Sequence, residues 1–208
     1  MTADTTTELH ALALVCSLKP SPEPSSSELM ARQVLDALGE YDVRGETVRV
    51  VDHDVKPGVR TNMGEGDEWP WLRAKVLDAD ILVFATPTWV GHLSSVAQRV
   101  LERLDAELSE TDDQGRPSMY GKIAVLAVVG NEDGAHKIIA DSFQALNDIG
   151  FTIPANGGTY WNYEAMNPKD YLDLEKTPDA VEGTTRKLAI NAVHAARLLK
   201  TRQYPPPG

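Results

Sequence analysis

Between Ser17 and Ser27 the chain sets hydroxyls and a cation in a proline-stiffened loop: Ser17, Lys19, Ser25, Ser26 and Ser27, with Pro20, Pro22 and Pro24 among them. An apolar run from Leu9 to Cys16 ends just before this loop. Just after it, Leu29, Met30, Val34, Leu35 and Leu38 recur at helical spacing. Hydroxyls and free backbone N–H groups at a helix start meet the positive end of the helix dipole, so the chemistry on offer is capture of a phosphate-like dianion. No glycine precedes Gly39, which excludes G-x-G-x-x-G and G-x-x-x-x-G-K-[ST] at this position. The same serines also suit an ordinary helix N-cap, and the loop alone leaves both readings open.

The elements that must position this loop follow from hydrophobic periodicity. Leu9 to Cys16 reads as a buried strand, Thr47 to Val51 as a half-covered one, and Ile81 to Ala85 and Ile123 to Val129 as strands apolar on both faces. Phe151 to Ile153 and Thr159 to Trp161 read as parts of a fifth strand interrupted by Pro154 and Gly157-Gly158. Helices are expected after the serine cap, over Trp69 to Leu77, through Val96, Val100, Leu101, Leu104 and Leu108, and over Ala135 to Asp148. A last one opens near Thr177-Pro178 and places Arg197, Lys200 and Arg202 near its C-terminal end. Alternating strands and helices imply a doubly wound α/β fold: a five-stranded parallel sheet of order 2-1-3-4-5 between two helical layers. One domain spanning 1–208 is expected, with a polar N-terminal tail over 1–8 and a proline-rich C-terminal tail over 203–208. His53 to Glu68 and Glu107 to Gly121 read as loose segments. Asp78-Ala79-Asp80 reads as a helix-to-strand turn at the far end of the third strand.

In such a sheet, ligands bind beyond the carboxyl ends of the strands, at the switch point between strands 1 and 3. Three loops should therefore converge: Ser17 to Ser27, Thr86 to His92 and Gly130 to His136. With Cys16-Ser17-Leu18-Lys19, Ser25-Ser26-Ser27 and Pro87-Thr88-Trp89-Val90-Gly91 in these places, the chain from about Leu9 to Trp161 resembles the NAD(P)H-dependent FMN reductase branch of the flavodoxin-like proteins. The resemblance implies an FMN phosphate on Ser17, Lys19, Ser25, Ser26 and Ser27. It implies an isoalloxazine lined by Pro87, Thr88, Trp89, Val90 and Gly91, with Gly130, Asn131 and Gly134 approaching its far edge and Tyr160 and Trp161 as a further contact. A helix beginning near Gly91 or His92 would be its dipolar donor. The usual Gly-Ser-Pro-Arg stands here as Cys-Ser-Leu-Lys, so the first loop is longer than in the family. By the same resemblance, hydride passes from NADPH or NADH through FMN to a quinone, free flavin or other small acceptor, in a homodimer or tetramer. The flavin carries that chemistry, so no catalytic acid–base residue is required. The alternative is a flavodoxin-type electron carrier that docks to partner proteins without reductase activity.

Other residue types carry plainer readings. Trp89 also suits a subunit contact, Tyr160-Trp161 also suit strand packing, and His92 and His136 suit solvated helix starts. Cys16 lacks the arginine of a Cys-x5-Arg phosphatase loop, since the sixth residue after it is Pro22, and is expected to be a buried strand-end thiol. An acidic cluster of the receiver-domain kind is absent. As the only cysteine, Cys16 also rules out an internal disulfide and a cysteine metal cluster, and a reducing, cytoplasmic setting fits; no metal-binding residue is singled out. The net charge of −11 argues against nucleic-acid or anionic-membrane partners.

Overall fold

The computed structural model describes residues 8–163 and 167–206. The expected tails therefore lie partly outside the described residues. Six strands form: β1 (Leu9–Val15), β2 (Val43–Arg49), β3 (Ile81–Trp89), β4 (His92–Leu93), β5 (Ile123–Val129) and β6 (Gly158–Trp161). Helices α1 (Ser26–Gly39), α2 (Trp69–Asp78), α3 (Ser95–Leu104), α4 (Ala135–Ile149) and α5 (Asp179–Thr201) cover them. The parallel order is β2-β1-β3-β5-β6, which is the expected 2-1-3-4-5 with β4 as an added arm on β3. Leu14 pairs in register with Phe84, and Phe84 with Leu126, so the three central strands are apolar in register. Alternation divides them between two cores. Leu9, Ala11, Val83 and Val125 pack under α1 and α5. Leu12, Leu14, Phe84 and Leu126 pack under α2, α3 and α4.

Several boundaries differ from expectation. β2 begins at Val43, four residues before Thr47, because an edge strand tolerates the exposed Arg44, Gly45 and Glu46 that hide it from a hydrophobic pattern. Thr152 makes only one isolated bridge, to Ile123, before a turn in which Gly157 N–H donates to the Pro154 carbonyl at 3.1 Å. α3 ends at Leu104, and Leu108 lies exposed in the 3₁₀ turn Asp105–Ser109 that follows. Asp80 sits at the expected turn, where Lys200 of α5 binds its carboxylate at 3.0 Å.

The two segments read as loose are pinned from within. Arg103 and Asp67 form an ion pair at 2.8 Å with both side chains fully buried, and Arg103 also donates to the carbonyls of Lys56 and Arg60. Asp67 accepts the N–H groups of Lys56, Met63 and Trp69 as well, so the 53–68 segment is wrapped around one satisfied carboxylate. Burial acts to raise the Asp67 carboxyl, but these hydrogen bonds outweigh it and hold the group below the usual range. Glu107 plays the matching part for the 107–121 segment, accepting from Arg73 at 2.5 Å and from the Ser118 hydroxyl at 2.7 Å.

Candidate functional site

The carboxyl ends of β1, β3, β5 and β6 open into one cleft with a cavity volume of about 110 Å³. Its lining brings together Ser17, Lys19, Ser25, Ser26, Ser27, Pro87, Thr88, Trp89, Gly130, Asn131 and Trp161, all singled out from sequence. Two larger clefts share none of these residues: one is lined by His10, Gly45 and Trp71, the other by His92, Leu93 and Gln98.

The serine end is built on the start of α1. Ser25 caps the helix, its Oγ accepting from Glu28 N at 3.3 Å, and Ser17 Oγ accepts from Lys19 N at 3.1 Å. Ser17, Ser25 and Ser27 are buried, whereas Lys19 is exposed. Support for the loop comes from β2, which sequence reasoning did not assign to it. Arg49, at the end of that strand, is buried and donates to the carbonyls of Lys19 at 3.2 Å and Glu23 at 2.7 Å, and it pairs with Glu28. Both carbonyls belong to peptide bonds with a following proline, whose missing N–H leaves the loop with acceptors in excess. Asp52 accepts the Ser21 N–H at 2.8 Å and the Ser21 hydroxyl at 2.6 Å on the outer side. The Glu28 and Asp52 carboxyls both lie below their usual values: burial pushes each up, and the hydrogen bonds from Arg49 and Arg32, and from Ser21, outweigh it.

The second segment is strand where a loop was expected. β3 continues through Thr88 and Trp89, and these pair antiparallel with Leu93 and His92 across the two-residue turn Val90-Gly91. Both turn residues have positive φ, +53° and +71°. Such a turn matches the twist of the flanking strands but normally takes Asn-Gly. Val90 tolerates it because Glu132 accepts its N–H at 3.1 Å and that of Gly91 at 3.2 Å. Trp89 is half exposed at the cleft mouth, and Val90 is 85% exposed. The expected helix start near Gly91 or His92 is therefore displaced to Ser95. It is closed by Ser94, whose Oγ accepts from Ala97 N and donates to the Cys16 carbonyl at 2.6 Å. The Cys16 thiol is fully buried, and burial pushes its pKa far up, as a structural thiol requires.

The floor is defined by close approaches. Thr88 Oγ1 is buried without a hydrogen-bond partner among the described residues. A Cβ on Gly130 would lie 2.8 Å from the Thr88 Cβ, so only glycine leaves that hydroxyl its place. Gly134 does not line the cleft. It abuts the Gly91 backbone, where a Cβ would lie 2.7 Å from the Gly91 Cα. Val90 and Gly91 likewise stand at the rim, bound to Glu132.

The far wall carries residues that sequence reasoning missed. Tyr171 is buried and its OH donates to Gln33 Oε1 at 2.7 Å; burial pushes the phenol up and keeps it neutral. Asp170 lies beside it and accepts from Asn131 Nδ2 at 3.4 Å. Trp161 packs against both Tyr163 and Tyr171. Alternation along β6 sends Tyr160 the other way, where its OH lies 2.8 Å from His136 Nε2, so this residue faces away from the cleft. The aromatic clustering from Tyr160 to Tyr171 was the available signal for this wall.

Residues 9–165 match the model of the family described as NADPH-dependent FMN reductase. The 8-demethyl-8-aminoriboflavin-5'-phosphate synthase of Streptomyces davaonensis is 33% identical over 206 residues, covering 94% of this chain and 80% of that protein. The divalent metal cation transporter MntH of Mycobacterium bovis is 36% identical over 199 residues, 92% of this chain but only 29% of that protein. The chain thus spans under a third of one relative and four-fifths of the other. The structure of RosB with bound 8-demethyl-8-formylriboflavin-5'-phosphate superposes with a TM-score of 0.85 at 30% identity, covering 94% of this chain and 82% of that one. An archaeal flavodoxin, at 11% identity and a TM-score of 0.56 over 91% of this chain and 99% of that one, shares the fold alone. The chain belongs to the NADPH-dependent FMN reductase family.

Proposed function

We propose that the cleft binds FMN, and that the protein is an oxidoreductase moving hydride from NADPH or NADH through that flavin to a quinone, a free flavin or another small acceptor. The observation that carries this reading is the meeting of the serine-rich start of α1 with Thr88, Trp89, Gly130 and Trp161 in a single cleft. The residues fit the group. The unpartnered Thr88 hydroxyl awaits a ligand atom, and Gly130 keeps the space in front of it clear. The phosphate and ribityl tail would lie along the cleft, with the rings at its open mouth beside the half-exposed Trp89. Ser17, Ser25, Ser26 and Ser27 would hold the phosphate with the dipole of α1, and Asp170 offers an acceptor to ligand hydroxyl or imide donors. When bound, FMN supplies the hydride-accepting centre. The family name favours NADPH over NADH, although Arg73 and Arg116 are already committed to Glu107 and Asp112 and would not be free for its 2′-phosphate. A homo-oligomer that encloses the exposed mouth completes the reading.

A second reading makes the riboflavin phosphate the substrate. It is favoured by the S. davaonensis synthase and by RosB, whose names specify modified riboflavin phosphates. One experiment separates these. FMN is added, excess is removed, and NADPH is supplied under argon while absorbance is followed. Retained flavin peaks that bleach within seconds and return unchanged by mass on reoxidation support the oxidoreductase. A changed flavin mass supports the second reading. Peaks that do not bleach support a docking electron carrier, and no retained flavin refutes the oxidoreductase and the carrier.

A further inference from the structure

A carboxylate stands beside the phosphate end of the cleft, and the fold keeps it out. Ser25-Ser26-Ser27-Glu28 is a capping-box sequence, in which the glutamate normally reaches back to the N–H of the cap residue. Asp173 makes that reach elsewhere in this chain, accepting the Asp170 N–H at 2.9 Å. At α1 only half the box forms. Ser25 Oγ accepts from Glu28 N, but the Glu28 carboxylate turns away, one oxygen taking Arg32 at 2.8 Å and the other taking Arg49. The Ser25 N–H, which that carboxylate would have taken, is left without a partner among the described residues, as are the N–H groups of Ser26 and Ser27 at the start of the helix.

Arg49 is well placed to impose this. Its side chain is buried, anchored by the two prolyl-bond carbonyls of the first loop, and it does not line the cleft. A glutamate left in the first turn would be drawn to the same dipole and N–H groups that suit a phosphate, and would repel the dianion. We propose that Arg49 is a positioning residue for phosphate recognition: it withdraws Glu28 from the start of α1 so that the 5′-phosphate of a ribityl ligand takes its place. The identity of that ligand as FMN rests on the function proposed above. The phosphate seat itself does not.

The test is a double-mutant cycle with Arg49→Gln, Glu28→Gln and the combined variant, plus Arg49→Lys. FMN and riboflavin affinities are read by flavin fluorescence, and the rise in Tm caused by inorganic phosphate is read separately. Arg49→Gln should weaken FMN about tenfold and leave riboflavin within about twofold, because helix-terminus charge effects reach this size when partly buried. Glu28→Gln should be nearly silent alone and should restore most of the loss when added to Arg49→Gln. Arg49→Lys should stay close to wild type, since an ammonium still claims Glu28. Equal effects of Glu28→Gln in both backgrounds, or parallel losses of FMN and riboflavin in Arg49→Gln, would overturn the inference and leave Arg49 as a loop support. If the wild type binds neither flavin, the proposed function fails. The inference then stands if phosphate raises Tm in the wild type and the double variant but not in Arg49→Gln, and it falls if phosphate shows no such pattern.

Discussion

The Glu132 carboxylate grips Val90 across the mouth of the cleft, one oxygen on the Val90 N–H at 3.1 Å and the other on the Gly91 N–H at 3.2 Å. A β-branched residue at φ +53° costs roughly 1–2 kcal/mol against the extended or helical regions, so this grip is what holds the turn. Glu132→Ala should lower stability by about 1–2 kcal/mol, since both hydrogen bonds are charge-assisted but partly exposed. Val90→Gly should be close to neutral, because release of left-handed strain offsets the greater chain entropy of glycine, about 0.5–1 kcal/mol. Urea unfolding of both variants checks the pair. A Val90→Gly loss as large as that of Glu132→Ala would show that the turn is not strained.

Asp67→Asn should cost about 3–5 kcal/mol, because it leaves Arg103 as a buried charge without its partner. The pH dependence follows from the lowered carboxyl of Asp67. Its folded value lies below its unfolded one, so its contribution is fully present above about pH 4 and is lost as pH falls through the folded value. Unfolding free energies at pH 7 and near pH 3 should therefore fall less steeply with acid in Asp67→Asn than in the wild type.

Gly134→Ala should disturb a site it does not line. The new Cβ meets the Gly91 Cα at 2.7 Å, and φ at residue 134 is +137°. Overpacking of about 1–3 kcal/mol adds to backbone strain of similar size. A lower Tm together with weaker flavin retention is expected, and Gly183→Ala on α5, where nothing lies within 4 Å, serves as the control.

Thr88→Val should move two readouts in opposite directions. Removing a buried hydroxyl that has no partner should raise the stability of the ligand-free protein by about 1 kcal/mol. The same change should weaken FMN binding, since it deletes a hydrogen-bonding group from the floor of the cleft. A loss in both readouts would show that Thr88 is satisfied by solvent in the free protein.

The sheet order was legible because β1, β3 and β5 are apolar on both faces and alternate with helical periods, as strands of a parallel sheet covered on both sides do. The helix start at the serine loop was legible because hydroxyl residues mark helix caps. The β3–β4 arm was not, since Val90-Gly91 lacks the Asn-Gly signal of its turn and needs Glu132, more than forty positions away, to form. The order of the 53–68 and 107–121 segments was equally hidden. It depends on Arg103 meeting Asp67 and Arg73 meeting Glu107, and a sequence shows charges but not which of them share an interior. Asp170 and Tyr171 escaped because they sit in irregular chain, where no period marks an inward face.

The pairing of Thr88 and Trp89 with Leu93 and His92 places the exposed indole on a hydrogen-bonded arm of the central sheet. If a flavin binds as proposed, its ring meets an edge whose backbone is already fixed by that pairing, so less chain ordering is needed on binding than at an unpaired loop. Flavins altered at the rim of the ring system should accordingly be told apart sharply, with little backbone adjustment to absorb the difference.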